Sequence, residues 1–172
     1  MLTKKYWTKV RTMFSLSTWD YFSSNHMSEI IPGLFVGDMY AGQDMDLLRR
    51  NNIRHVINLA HPHVHPEYAQ GIRAFCINIK DTPTANIHSL FDETYHFLRQ
   101  GLGNGDGVLV HCMAGISRSA TIALNYIIRT MNISAEEALK LMRFSRPIVN
   151  PNQGFWKQIL DRQEEYLKHI IL

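Results

Sequence analysis

The stretch His111-Cys112-Met113-Ala114-Gly115-Ile116-Ser117-Arg118-Ser119 places one thiol and one guanidinium on a short segment, with five residues between them. Before it lies Val108-Leu109-Val110, a short apolar run that opens after Gly107 and reads as a buried parallel strand. A helix is expected to begin near Arg118, so residues 111 to 117 form a tight strand-to-helix loop. In such a loop backbone N–H groups point inward and add to the helix N-terminus, which makes a site for a tetrahedral dianion. Gly115 permits backbone geometry there that a side chain would hinder. The same dipoles favour a thiolate, so Cys112 is expected to be ionised near neutrality. Arg118 offers a planar fork able to hold two phosphate oxygens at once. A lone cysteine in an apolar strand is ordinarily inert. Thiolate, anion cradle and arginine in one loop instead describe phosphoryl transfer to sulfur.

Such chemistry needs a proton donor for the leaving oxygen. Asp81 stands 31 residues before Cys112, in Lys80-Asp81-Thr82-Pro83, just past an expected strand. Its plainer role is a loop aspartate capping a turn with Pro83. Asp92 is the rival acid, on an expected helix surface.

The Cys112-x5-Arg118 run with His111 and Ser119 resembles the signature of the protein tyrosine phosphatase superfamily. Ala114-Gly115-Ile116-Ser117-Arg118-Ser119-Ala120-Thr121 is similar to the form found in dual-specificity phosphatases, which accept phosphotyrosine and phosphoserine or phosphothreonine. The resemblance covers about residues 29 to 167. It takes in Ile31-Pro32-Gly33-Leu34-Phe35-Val36-Gly37 near the start and Asn150-Pro151-Asn152-Gln153-Gly154-Phe155-Trp156 near the end. It implies a phosphocysteine intermediate on Cys112, with Arg118 and the backbone of Met113, Ala114, Gly115, Ile116 and Ser117 holding the phosphate. Asp81 resembles the acid on the family's mobile loop, and Ser119 its hydroxyl that stabilises the departing thiolate. His111 is expected to orient the loop by hydrogen bonding. Asn152 is either a brace for the phosphate loop or a plain helix cap. No metal or cofactor is required, and phosphoproteins, protein kinases among them, are the expected partners. The length fits the atypical, stand-alone group, without a kinase-docking domain. Phosphoinositide phosphatases tend to carry lysines in this loop, where Met113 and Ile116 stand here. Two further classes stay in view: a non-catalytic phosphoprotein-binding module, which usually lacks the cysteine, and an RNA 5′-phosphatase.

Composition bounds these readings. The 172 residues suit one domain, and 45% hydrophobic with 19% charged residues suits a packed globule. Two distant cysteines, Cys76 and Cys112, exclude a disulfide framework and fit a reducing, cytoplasmic or nuclear compartment. Cys76 is expected in the core. No run reaches the roughly 20 apolar residues of a membrane span. Residues 1 to 28 hold Lys4, Lys5, Lys9 and Arg11 against Asp20, which accounts for the whole net charge of +3. The remaining 14 basic and 14 acidic residues balance, which argues against a nucleic-acid-binding face. His61, His63 and His65 alternate between prolines in what reads as a surface loop rather than a metal site.

Residues 1–27 form a basic and aromatic leader with Tyr6, Trp7, Val10, Met13 and Phe14 at helical spacing. It is a candidate packed helix, dimerisation arm, membrane-surface helix or targeting peptide, with packing or homodimerisation favoured. Residues 28–172 form the domain. Strands are expected over 31–36, 53–59, 72–79 and 108–110, with helices between. The C-terminal third is helical: Ser134 with Glu137 makes a capping box, Pro147 ends that helix, and Asn150-Pro151 opens the last. The alternation predicts an α/β fold, a mostly parallel twisted sheet flanked by helices.

Overall fold

A computed structural model describes residues 25–64, 67, 68 and 70–168 of the chain; residues 1–24 of the expected 1–27 leader, and His65, lie outside them. Strand β1 (Met27–Ile31) turns through Pro32-Gly33 into β2 (Leu34–Gly37). The expected single strand over 31–36 is therefore a hairpin, because Pro32 cannot continue a ladder and Gly33 takes φ +81°. Two short helices, α1 (Met39–Gln43) and α2 (Met45–Arg50), lead to β3 (Ile53–Asn58) and β4 (Arg73–Cys76). Helix α3 (Phe91–Gly103) precedes β5 (Gly107–His111), and α4 (Arg118–Met131), α5 (Ala135–Ser145) and α6 (Gln153–Lys168) complete the chain.

The five strands run in the order β1-β2-β5-β3-β4, with β1 antiparallel to β2 and every other pairing parallel. Side chains alternate across the sheet with period two, and both faces are apolar. Leu34, Val36, Ile57, Val108 and Val110 join one core with residues of α3, α4, α5 and α6. Phe35, Val56 and Leu109 join a second core with Ala41 and Leu48 of α1 and α2. All five residues of β5 are buried, so the cysteine loop leaves the enclosed central strand of the sheet. Helix α4, which receives the loop, is buried from Arg118 through Ile128.

Two local expectations change. Strand β4 is short and lies at the sheet edge, and Cys76 is exposed rather than in the core. Helix α6 is capped by Asn152, whose Oδ1 accepts from Phe155 N–H at 2.9 Å, and not by Asn150. Asn150 precedes a proline, which disfavours helical geometry there, and its side chain accepts from Arg143 instead. The Ser134–Glu137 capping box forms as expected.

Candidate active site

The loop from His111 to Arg118 is shaped by what holds its carbonyls. Met113 C=O accepts from Met39 N–H at 3.1 Å, and Ile116 C=O accepts from Asn150 N–H at 3.0 Å. Arg146 donates to Ala114 C=O from Nη2 at 3.3 Å and to Gly115 C=O from Nε at 2.9 Å. Ser117 C=O accepts from Thr121 N–H at 2.9 Å. Five successive carbonyls are thus drawn outward, and in a trans peptide the N–H points opposite to its own C=O. The amides of Ala114 through Arg118 are thereby turned toward the inside of the loop. One inward bond is explicit: Gly115 N–H donates to Cys112 Sγ at 3.3 Å. Gly115 has φ +67°, and a Cβ there would stand 2.4 Å from an Arg146 nitrogen and 2.7 Å from Gly37 O. Conformation and space both require glycine.

Cys112 is buried, with Sγ 3.2 Å from Ser119 Oγ in the first turn of α4. Arg118 Nη1 donates to the carbonyls of Leu59 and Ile79 at 2.8 and 3.2 Å, which ties its side chain to the segments that follow β3 and β4. Its Nε is buried without a hydrogen-bond partner and lies 3.6 Å from Asp81 Oδ2. A buried donor left unpaired costs about 1–3 kcal/mol, which an anion's oxygen placed there would relieve.

Asp81 is held at the same mouth. Its Oδ1 accepts from Ser117 Oγ at 2.7 Å and from Asn152 Nδ2 at 2.8 Å. Asn152 N–H in turn donates to Ser117 Oγ at 3.1 Å. Asn152 thus caps α6 with Oδ1, while its Nδ2 reaches Asp81 and its backbone N–H reaches Ser117 of the loop. Gly154 brings α6 against the Asp81–Pro83 loop, since a Cβ there would fall 1.9 Å from Pro83 O. Asp92 lies elsewhere: it pairs with Arg129 at 2.8 Å and with Arg162, tying α3 to α4 and α6. Those guanidiniums, Arg162 first, hold its carboxyl below the usual carboxylate range.

His111 faces away from the loop's interior. Its Nε2 is 3.3 Å from Tyr68 Oη, and its ring packs against Gly42, where a Cβ would come within 2.5 Å. Burial, only partly opposed by the Cys112 backbone and Asp38, pushes the imidazole down to about 4, so it is neutral near pH 7. Its unfolded-state value is about 6.5, so the unfolded chain binds the extra proton between pH 6.5 and 4. The contribution is therefore complete above pH 6.5 and is lost as pH falls to 4, at most roughly 3 kcal/mol. Urea unfolding of wild type and His111→Asn should show a stability gap that narrows over that interval; a gap independent of pH would refute the assignment.

Cys76 aligns through Asn58 with His111 across two strand spacings, about 10 Å. That span is beyond the roughly 7 Å limit for Cα atoms joined by a disulfide, which disfavours a bridge to the neighbouring Cys112. His61 precedes a cis peptide at Pro62. Among the described residues no three His, Cys, Asp or Glu side chains gather as a metal site, and no helix is long and apolar enough to cross a membrane. The residue that sequence reasoning missed is Arg146. An arginine just past a helix end is ordinarily read as a cation favouring the helix dipole, and nothing local announces its burial.

A mostly parallel sheet whose central strand runs into a cysteine loop closed by an arginine at a helix start is the arrangement of the protein tyrosine phosphatase-like fold class. Residues 34–165 match the family model "Dual specificity phosphatase, catalytic domain", and the chain belongs to that family. It is 40% identical to dual specificity protein phosphatase 15 of Mus musculus over 78% of this chain and 57% of the relative. It is 35% identical to dual specificity protein phosphatase 22 of Xenopus tropicalis over 84% of this chain and 66% of the relative. The chain thus spans somewhat under two thirds of the length of these relatives. A crystal structure of the human tyrosine phosphatase-like serine/threonine/tyrosine-interacting protein superposes with a TM-score of 0.78 at 33% identity, covering 82% of this chain and 97% of that one.

Proposed function

We propose that this protein hydrolyses phosphotyrosine and phosphoserine or phosphothreonine in other proteins through a phosphocysteine intermediate. The observation that carries the reading is Cys112 Sγ at the focus of an inward N–H loop, with Arg118 and Asp81 converging on its mouth. The substrate dianion lies on the amides of residues 114 to 118, and Arg118 grips two of its oxygens. Cys112 thiolate attacks phosphorus, the bond to the leaving oxygen breaks, and Asp81 delivers its proton to that oxygen. Asp81 then takes a proton from water, which attacks phosphorus and displaces the thiolate, stabilised by the Ser119 hydroxyl. Phosphate and free enzyme are the products. A reducing compartment suits this chemistry, because Cys112 must remain a free thiol.

The likeness to a tyrosine phosphatase-like interacting protein supports a second reading, phosphoprotein binding without turnover. Hydrolysis of a generic aryl phosphate separates the two. The acid assignment has its own test. General-acid catalysis contributes roughly 10²- to 10⁴-fold, more when the leaving group is poor. Asp81→Asn should lose activity over that range on phosphotyrosine or alkyl phosphates, and far less on an aryl phosphate with a good leaving group. Asp92→Asn is the control; if it shows the leaving-group dependence and Asp81→Asn does not, the acid is on α3.

A further inference from the structure

We infer that Arg146, buried behind the phosphate loop and outside the reacting centre, is a positioning residue that sets both the inward N–H array and the reactivity of Cys112. This inference rests on the reading above. Among the described residues Arg146 is the largest side chain that is fully buried, at 1% exposure. Its fork donates to oxygens from two separate parts of the chain. Nε and Nη2 hold the carbonyls of Gly115 and Ala114, while Nη1 donates to Asn25 C=O at 3.2 Å and Ser28 Oγ at 3.4 Å.

Two consequences follow from peptide geometry and charge. The Ala114 carbonyl shares its peptide plane with the Gly115 N–H that donates to Cys112 Sγ, so pulling the carbonyl outward aims that N–H at the sulfur. The Gly115 carbonyl shares its plane with Ile116 N–H, which is aimed into the cradle in the same way. Of the five donors that hold loop carbonyls, those from Arg146 alone come from a charged side chain. A buried cation polarises the peptides it binds and adds a positive potential behind both the thiolate and the bound dianion. A lysine cannot reproduce this, because its point-like ammonium lacks the fork that spans two carbonyls and the β1 side together.

The test uses Arg146→Met and Arg146→Lys, each in a Cys76→Ser background so that only Cys112 reacts. Iodoacetamide alkylation should slow at least tenfold at pH 6 in Arg146→Met and return to the parent rate at pH 9. Inorganic phosphate should protect the thiol at least tenfold less well. Arg146→Lys should lose phosphate protection while its alkylation slows less. A folded Arg146→Met, judged by circular dichroism and Tm, that alkylates at pH 6 like its parent and is protected equally by phosphate overturns the inference. Should Arg146→Met not fold, Arg146→Lys with parental behaviour does the same. Failure of both to fold assigns the residue to global stability and also overturns it. A parent that alkylates no faster at pH 6 than an ordinary thiol, without phosphate protection, sinks the phosphatase reading instead.

Discussion

Cys112→Ser is expected to abolish turnover, by on the order of 10⁴-fold or more, while leaving phosphate binding largely intact. The argument lies in the difference between sulfur and oxygen at one position. The Gly115 N–H and the Ser119 hydroxyl reach Sγ at 3.3 and 3.2 Å, and they can favour an anion there. A serine hydroxyl ionises so much less readily that the same donors leave it neutral and a weak nucleophile. The cradle itself does not depend on the thiol, because its carbonyls are fixed by Met39, Arg146, Asn150 and Thr121. Phosphopeptide should therefore still bind to the variant, measured by calorimetry, while hydrolysis of an aryl phosphate disappears. Retention of even a tenth of the wild-type rate would exclude a covalent intermediate on Cys112.

The features legible in the sequence are the ones whose causes are local. An apolar strand, a glycine and a cysteine-to-arginine spacing are all contained in residues 107 to 119, and the loop they predict is present. The β5–α4 junction was legible because a buried strand has a recognisable composition, and the capping box because its two partners stand three residues apart. The hairpin at Pro32-Gly33 was written in the sequence as well, but the apolar run on either side of it masked the turn.

What could not be read depends on pairing between distant segments. Cys76 sits in an apolar stretch whose composition suits a core strand, yet it ends an edge strand, and strand order is a property of the whole sheet. Arg146 touches residues 31, 32, 118 and 121 positions away, and no periodicity relates a residue to contacts of that separation. Asn152 had two readings because one amide can cap α6 with its oxygen and hold Asp81 with its nitrogen, and only tertiary placement lets it do both. Position favours Asp81 over Asp92 in the sequence; in the fold Asp92 is engaged by Arg129 and Arg162, and Asp81 accepts from Ser117 of the cysteine loop.

Arg118→Lys keeps the charge and should nonetheless lower kcat by roughly 10²- to 10³-fold, with KM changing only several-fold. Two backbone carbonyls already occupy Nη1 of Arg118, from Leu59 and Ile79. That edge of the guanidinium serves as an anchor, and the buried, unbonded Nε is left to meet an incoming oxygen. A planar fork can do both at once because its donors are separated by a rigid frame. A lysine ammonium is one small centre. If it bonds to the carbonyls it stands away from the phosphate; if it moves to the phosphate it leaves buried carbonyls unsatisfied, at about 1–3 kcal/mol. Ground-state attraction to a dianion survives in either position, which is why KM is the less sensitive parameter. The transition state spreads charge over equatorial oxygens that need donors at fixed places, so the loss appears in kcat. Steady-state kinetics on an aryl phosphate measure both, and a kcat within threefold of wild type would remove Arg118 from the transition-state contacts.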